Sequence, residues 1–374
     1  MKIPFFDLRI TNATIRRELL FSINKVLNHG KFFLGPEVKN LEKKIAIKIG
    51  AKYAVCVDSG SSALYLALKS AGIGKGDEVI TTPLTWIITV NAIKSCGARP
   101  VFADVRGDFN IDPNSINNLI TKKTKAIVPM HYGGHMCDMS NICKIAKKND
   151  LLIIEDAAQA FGGSINGKKA GSFSVAASFS MNPMKVFGGC GEAGVVITNK
   201  KKIFNKLKIL RHAGTTSNTK KITNNCIQVS LNHKMDTINA ALLLVSLKKF
   251  NEKYKILKKI ANRYDKELPF EVKKQSVFPG EVHARYAYPI RTNCREKLMK
   301  FLNKNGIETR IFHEPLACDA PIYKNLKKRK VPFARRVLKE SLIIPLNDKL
   351  KKKDVDFIIL TIKSFFKKKY KTLK

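Results

Sequence analysis

Tyr53-Ala54-Val55-Cys56-Val57-Asp58-Ser59-Gly60-Ser61-Ser62-Ala63-Leu64 begins as an apolar run and turns, at the serines and glycine, into a helical pattern continuing to Ser70. A short apolar run bounded by turn formers predicts a buried strand, and serine ahead of an apolar periodic segment predicts a helix start. The same succession recurs outward from this stretch. Glu78–Thr82, Pro100–Asp104, Ala126–Met130, Leu151–Glu155 and Val195–Thr198 read as strands, and Ile87–Ser95 and Ser140–Lys148 as helices. Such alternation predicts an α/β fold, a mostly parallel central sheet between helices on both faces. Ligands of these sheets gather outside the carboxyl ends of the strands, so the residues just after each strand become the site candidates.

Around Phe250 the pattern changes. A long helix from about Asp236 through Asp265 leads to a strand at Tyr286–Arg291, a helix over Arg295–Asn305 and an amphipathic helix from Lys352. We expect a large domain over residues 1–250 and a smaller C-terminal α/β domain over 251–374, with residues 1–15 placed to pack on the latter. The 374 residues suffice for both cores.

Lys and Arg total 69 against 29 Asp and Glu, a formal net charge of +40. Such an excess can mark a nucleic-acid or membrane-surface binder. Its distribution argues otherwise. Between Leu151 and Gly194 the acids Glu155, Asp156 and Glu192 balance Lys168, Lys169 and Lys185, while the excess falls in runs such as Lys200–Arg211 and in the tail. Lysines alternating with apolar residues there form a solvated helix face, so neither nucleic acid nor membrane is expected as partner. The 8 cysteines include no Cys-x-x-Cys pair, which points to reduced thiols. Asp7 and Arg9 interrupt the N-terminus before a signal-peptide run develops, and no stretch approaches the roughly 18 apolar residues of a membrane span. A soluble, cytoplasmic protein is expected.

Three stretches carry chemistry. Asp58-Ser59-Gly60-Ser61-Ser62-Ala63 sets Ser61, Ser62 and free backbone N–H groups at a helix start, a ready anion site as well as an ordinary cap. Leu151-Leu152-Ile153-Ile154-Glu155-Asp156-Ala157-Ala158-Gln159 ends a buried strand in two carboxylates and an amide. A carboxylate there can bind metal, act as a base, pair with a cationic ring nitrogen, or cap a helix. Phe179-Ser180-Met181-Asn182-Pro183-Met184-Lys185 places a solitary lysine in the otherwise uncharged, Gly-rich stretch from Ser172 to Gly191, which suits a desolvated amine that forms a Schiff base. Gly189-x-Gly191-x-x-Gly194 matches a dinucleotide fingerprint by letter, but it precedes a strand instead of following one, so that reading fails. His131, His135, Cys137 and Asp138 invite a zinc reading. Gly133 and Gly134 between the histidines favour a strand-end loop, and no metal is expected. A phosphate cradle, a strand-end carboxylate and a desolvated lysine together are what pyridoxal 5'-phosphate needs.

With these residues in place, the chain resembles the DegT/DnrJ/EryC1/StrS sugar aminotransferases, of the pyridoxal-phosphate fold type I (aspartate-aminotransferase-like). The resemblance runs through Pro4-Phe5-Phe6-Asp7-Leu8, Phe33-Leu34-Gly35-Pro36-Glu37-Val38, Thr85-Trp86, Glu155-Asp156-Ala157-Ala158-Gln159-Ala160, the Lys185 segment, Leu231-Asn232-His233-Lys234-Met235-Asp236, His313-Glu314-Pro315-Leu316 and Pro321-Ile322-Tyr323. It implies that Lys185 holds the cofactor and shuttles the proton, that Asp156 pairs with the pyridine nitrogen, and that Gln159 bonds the phenolic oxygen. By the same resemblance Trp86 stacks on the ring, and Ser61, Ser62 and Ser180 hold the phosphate with Asn232 of a second subunit. It also implies a homodimer with shared active sites, an amino-acid donor such as L-glutamate, and a nucleotide-linked keto-sugar acceptor. The chain departs from the family at His233-Lys234, where Tyr-Arg is usual, and at Arg211-His212-Ala213-Gly214; both bear on the substrate side. Rival readings are a sugar dehydratase or deoxygenase, a cyclitol aminotransferase of the same scaffold, and a non-enzymatic basic nucleic-acid binder. The deoxygenating branch carries His where this chain has Lys185.

Overall fold

The computed structural model describes residues 2–216, 223–323, 326 and 330–371. Seven strands make the central sheet: β1 (Tyr53–Val57), β2 (Glu78–Thr81), β3 (Arg99–Phe102), β4 (Thr124–Val128), β5 (Leu152–Asp156), β6 (Ala176–Ser180) and β7 (Gly194–Thr198). Their spatial order is β1-β7-β6-β5-β4-β2-β3. β3, β2, β4, β5 and β6 run parallel, and β7 is antiparallel to both β6 and β1. The reversal has a local cause. No helix crosses between β6 and β7, and a chain that lacks a crossover must return antiparallel. The loop that turns it, residues 181–193, carries Lys185.

The expected alternation is therefore present, and one strand of this central sheet was not foreseen. β6 reads Ala-Ala-Ser-Phe-Ser, too small and polar to stand out by strand propensity, yet it lies between β5 and β7 with four of its residues buried. The sheet is covered on both faces: Val79 and Ile154 join one core while their neighbours Ile80 and Ile153 join the other. That is the period-2 alternation of a doubly covered strand.

Two helices precede the sheet, α1 (Ala13–His29), capped by Asn12, and α2 (Pro36–Ile49), which opens on proline. α3 (Gly60–Ser70) and α4 (Ile87–Ser95) follow β1 and β2. α5 (Pro113–Asn117), α6 (Met139–Lys148) and α7 (Lys201–Arg211) follow β3, β4 and β7. The helix α8 (Thr237–Glu267) is 31 residues long and spans position 250 without interruption. Beyond it, an antiparallel sheet of β8 (Lys273–Lys274), β9 (Tyr288–Arg291) and β10 (Ser341–Ile344) packs with α9 (Arg295–Lys304) and α11 (Lys352–Lys371); α10 (Pro332–Glu340) leads into β10. The N-terminus joins this region: Ile3 bridges Ile307, and Phe5 N–H donates to Glu308 Oε2 at 3.1 Å. Among the described residues no helix is long and apolar enough to cross a membrane.

Candidate active site

The carboxyl ends of β1, β2, β5 and β6 open on a cavity of about 590 Å³, whose lining includes Ser61, Trp86, Asp156, Gln159, Ser180 and Lys185. Six of the eight expected site residues thus meet in one place.

β5 decides which of its two terminal carboxylates faces the cavity. Successive strand residues point to opposite faces. Glu155 turns away and is fully engaged: it accepts Gly171 N–H at 2.7 Å, Phe173 N–H at 2.9 Å and Ser174 Oγ–H at 2.7 Å, and His131 Nε2 lies at 3.2 Å. Cys137 N–H donates to His131 Nδ1, so Nε2 carries the ring proton and donates to Glu155. Asp156 turns inward. Burial pushes its carboxyl above the usual range, and hydrogen bonds from Thr89 Oγ1–H at 2.8 Å and Ala158 N–H at 3.2 Å oppose that.

Gln159 Oε1 accepts Gly133 N–H at 2.7 Å, which leaves its amide N–H₂ for the cavity. At the start of α3, Ser59 is the cap, its hydroxyl accepting from Ser62 N–H. Gly60 is required there, because a Cβ at that position would stand 2.6 Å from Ser180 Cβ. Its absence lets the helix N-terminus abut the end of β6, with Ser61 and Ser180 on the wall.

Lys185 sits in a fixed turn. Its N–H donates to Asn182 O at 2.9 Å, Met184 N–H donates to Asn182 Oδ1 at 3.0 Å, and Lys253 Nζ from α8 donates to Lys185 O at 3.2 Å. The side chain is half-buried, its Nζ 4.4 Å from the Tyr286 ring centre. Trp86 is 62% exposed and lines the cavity, which sets it apart from a core aromatic.

Ser62 and Asn232 lie apart from the cavity lining. The Ser62 hydroxyl is buried and bonded to Ser59 Oγ and to His233 Nδ1 at 2.9 Å. Asn232 is exposed and bridges His212. His131 and His135 serve the scaffold: His135 Nδ1 lies 2.8 Å from Glu281 Oε1, and its Nε2 lies 3.5 Å from Asp108 Oδ2.

Sequence reasoning gave no role to several residues of the wall. Thr89 and Tyr286 line it, and His313 presents two ring nitrogens that are shielded from solvent and have no hydrogen-bond partner among the described residues. Burial, then Lys185, pushes the His313 imidazole down to about 3, so it is neutral. Thr89 was legible as a hydroxyl one helical turn after Thr85. His313 was visible only as part of a motif from the small domain, brought to the cavity by tertiary folding.

The residues present fit pyridoxal phosphate: an amine and a buried carboxylate share a cavity with a helix N-terminus bearing hydroxyls, an aromatic face and partnerless imidazole nitrogens. A seven-stranded sheet of this topology around such a site is that of a pyridoxal-phosphate aminotransferase. The chain belongs to the DegT/DnrJ/EryC1/StrS aminotransferase family, whose model matches residues 13–363. It is 33% identical over 366 residues to dTDP-3-amino-3,6-dideoxy-alpha-D-galactopyranose transaminase of Aneurinibacillus thermoaerophilus, covering 97% of this chain and 99% of that one. It is 35% identical over 374 residues to the pleiotropic regulatory protein of Geobacillus stearothermophilus, covering 98% and 99%. Its fold superposes with a TM-score of 0.90 on the putative sugar aminotransferase Spr1654 from Streptococcus pneumoniae in its PLP form, at 26% identity, covering 98% and 99%. The enzyme class and the cofactor expected from the sequence are both borne out.

Proposed function

We propose that this enzyme moves an amino group from an amino acid, L-glutamate in the first instance, to the keto carbon of a nucleotide-linked sugar during amino-sugar biosynthesis for a surface polysaccharide or glycan. One observation carries the reading: the Lys185 amine and the buried Asp156 carboxylate line the same cavity. Similarity to a dTDP-sugar transaminase supports the acceptor class.

Bound pyridoxal phosphate supplies an aldehyde to accept the amino group and a ring that draws off electron density. Lys185 is the attachment point and the acid–base group, taking a proton from the donor's amine-bearing carbon and returning one when the sugar is aminated. Its backbone, held at both N–H and carbonyl, fixes where the amine swings. Asp156 holds the pyridine nitrogen, Gln159 donates to the phenolic oxygen, and Trp86 covers the ring face. Ser61, Ser180 and the α3 N-terminus hold the phosphate. Ser62 contributes through the cap network, and Asn232 reaches the site of a second subunit. The neutral His313 faces the acceptor with its unpartnered nitrogens.

A homodimer is part of this proposal. Phe33, Val229 and Leu231 are 64%, 84% and 73% exposed, apolar side chains that a second copy would cover. Large and small domains of residues 1–250 and 251–374 frame each site. A cytoplasmic setting accords with buried thiols such as Cys56, Cys96 and Cys137 that form no disulfide.

The test is addition of L-glutamate to the reconstituted enzyme, followed by a panel of keto-sugar nucleotides. The bound cofactor's absorbance should convert to the amine form and return when the correct sugar is added. If no amino acid converts it, the transaminase reading fails in favour of a dehydratase. Tight, salt-sensitive DNA binding would instead support a nucleic-acid role.

A further inference from the structure

Two buried hydroxyls line the cavity beside Asp156. Thr85 and Thr89 are 2% and 1% exposed, and their oxygens are 2.6 Å apart. Thr89 Oγ1 is 2.8 Å from Asp156 Oδ2. Neither hydroxyl caps α4, whose N-cap position is Trp86 and whose start has no side-chain cap bond.

Proton counting sets the direction of this chain. An ionised Asp156 can only accept, so Thr89 donates to it, and Thr89's oxygen is then free to accept from Thr85. The reverse order begins from a neutral, protonated Asp156 and ends on a Thr85 hydrogen with no protein acceptor among the described residues. The arrangement therefore favours the carboxylate, against a burial that favours the neutral acid. Other titratable groups acting on Asp156 are Lys185 and His131.

We propose that the Thr85–Thr89 pair is a positioning relay that keeps Asp156 ionised and aimed into the cavity, and through it sets how fully the pyridine nitrogen of the bound cofactor is protonated. Asp156 and the ring nitrogen share one proton. A hydroxyl that stabilises the carboxylate leaves that proton on the ring, where it strengthens the pull on electrons at the reacting carbon. Without the hydroxyl the carboxylate becomes the better base and reclaims the proton.

The test uses the holoenzyme reconstituted with pyridoxal phosphate labelled with ¹⁵N in the ring, whose nitrogen resonance reports protonation directly. In the parent protein the signal should stay at the protonated position across the range of pH in which the enzyme is stable. Thr89→Val keeps the shape and removes the hydroxyl. It should move the proton distribution toward Asp156 about tenfold or more, with kcat falling by a similar factor and KM for the amino donor unchanged. Thr89→Ser restores a hydroxyl and should restore the signal, and Thr85→Val should shift it the same way by less. An unshifted resonance in Thr89→Val, or a Thr89→Ser spectrum matching that of Thr89→Val, overturns the proposal. If Thr89→Val does not fold, Thr85→Val decides alone, a partial shift supporting the relay and an unchanged signal refuting it.

Discussion

Two neighbouring regions of this molecule are built from the same residue types and differ in one respect. Along the cavity wall, Lys185, Asp156, Gln159 and His313 each retain hydrogen-bonding capacity that no group among the described residues uses. A few residues away, the His131, Glu155 and Glu281 side chains are buried and committed: Glu155 alone takes four donors, and Glu281 accepts from Met136 N–H, Phe278 N–H and the His135 ring. Spare valence, not residue type or burial, separates the groups proposed to do chemistry from those that hold the scaffold. A saturated carboxylate has nothing left for a ligand.

The largest effect should come from Lys185→Ala. Losing the proposed attachment point and proton carrier is expected to lower turnover by on the order of 10⁴-fold, while thermal unfolding stays near that of the parent. A large drop in melting temperature would break the comparison, because it would make Lys185 a structural residue.

Next comes Glu155→Gln, which should do the opposite. Replacing a carboxylate that accepts four donors leaves at least one buried donor unpaired, at a cost of about 3 kcal/mol in stability. Denaturant unfolding reads this. Whatever protein remains folded should turn over at the parent rate, and an intact stability with lost activity would move Glu155 into the catalytic set.

His135 gives a smaller effect that depends on pH. Burial opposes its protonation, and the carboxylates of Asp108 and Glu281 outweigh burial, raising the imidazole above its ordinary value. His283, stacked at 5.7 Å, is held neutral by burial, and Arg106 pairs with Asp108 on the far side. A raised folded-state value means that stability is fully present below the ordinary histidine range and is lost as pH rises through the raised value. The parent should therefore lose about 1 kcal/mol relative to His135→Gln as pH climbs past that range. A stability difference between the two proteins that does not change with pH would show His135 neutral throughout.

The same contrast explains what was legible in the sequence. Strands β1 to β5 and β7 announced themselves by apolar runs, Asp156 by its place at a strand end, and Lys185 as the solitary charge in an otherwise uncharged, Gly-rich stretch. β6 was hidden because a central strand flanked on both sides can be made of alanine and serine. The histidine-rich loop looked like a metal site because its partners, Glu155 and Glu281, come from 24 and 146 residues further along the chain. The spacing of Ser62 from Gly60 cannot show that its hydroxyl is bonded to His233. Periodicity reports which face a residue occupies; it does not report whether the residue's valences are already filled.

Lys253 lies on the boundary between the two regions and gives the smallest and sharpest test. It is a half-buried cation on α8 whose ammonium, its pKa lowered by burial, bonds the carbonyl of Lys185. It does not line the main cavity, yet it ties the catalytic turn to the helix that leads into the small domain. One hydrogen bond to this turn is worth about 1 kcal/mol, so Lys253→Met should slow turnover by about fivefold and leave cofactor affinity unchanged. Lys253→Arg, which keeps a cationic donor at that reach, should recover most of the rate. If Met and Arg behave alike, the ammonium is only filling space, and the catalytic turn is held by Asn182 alone.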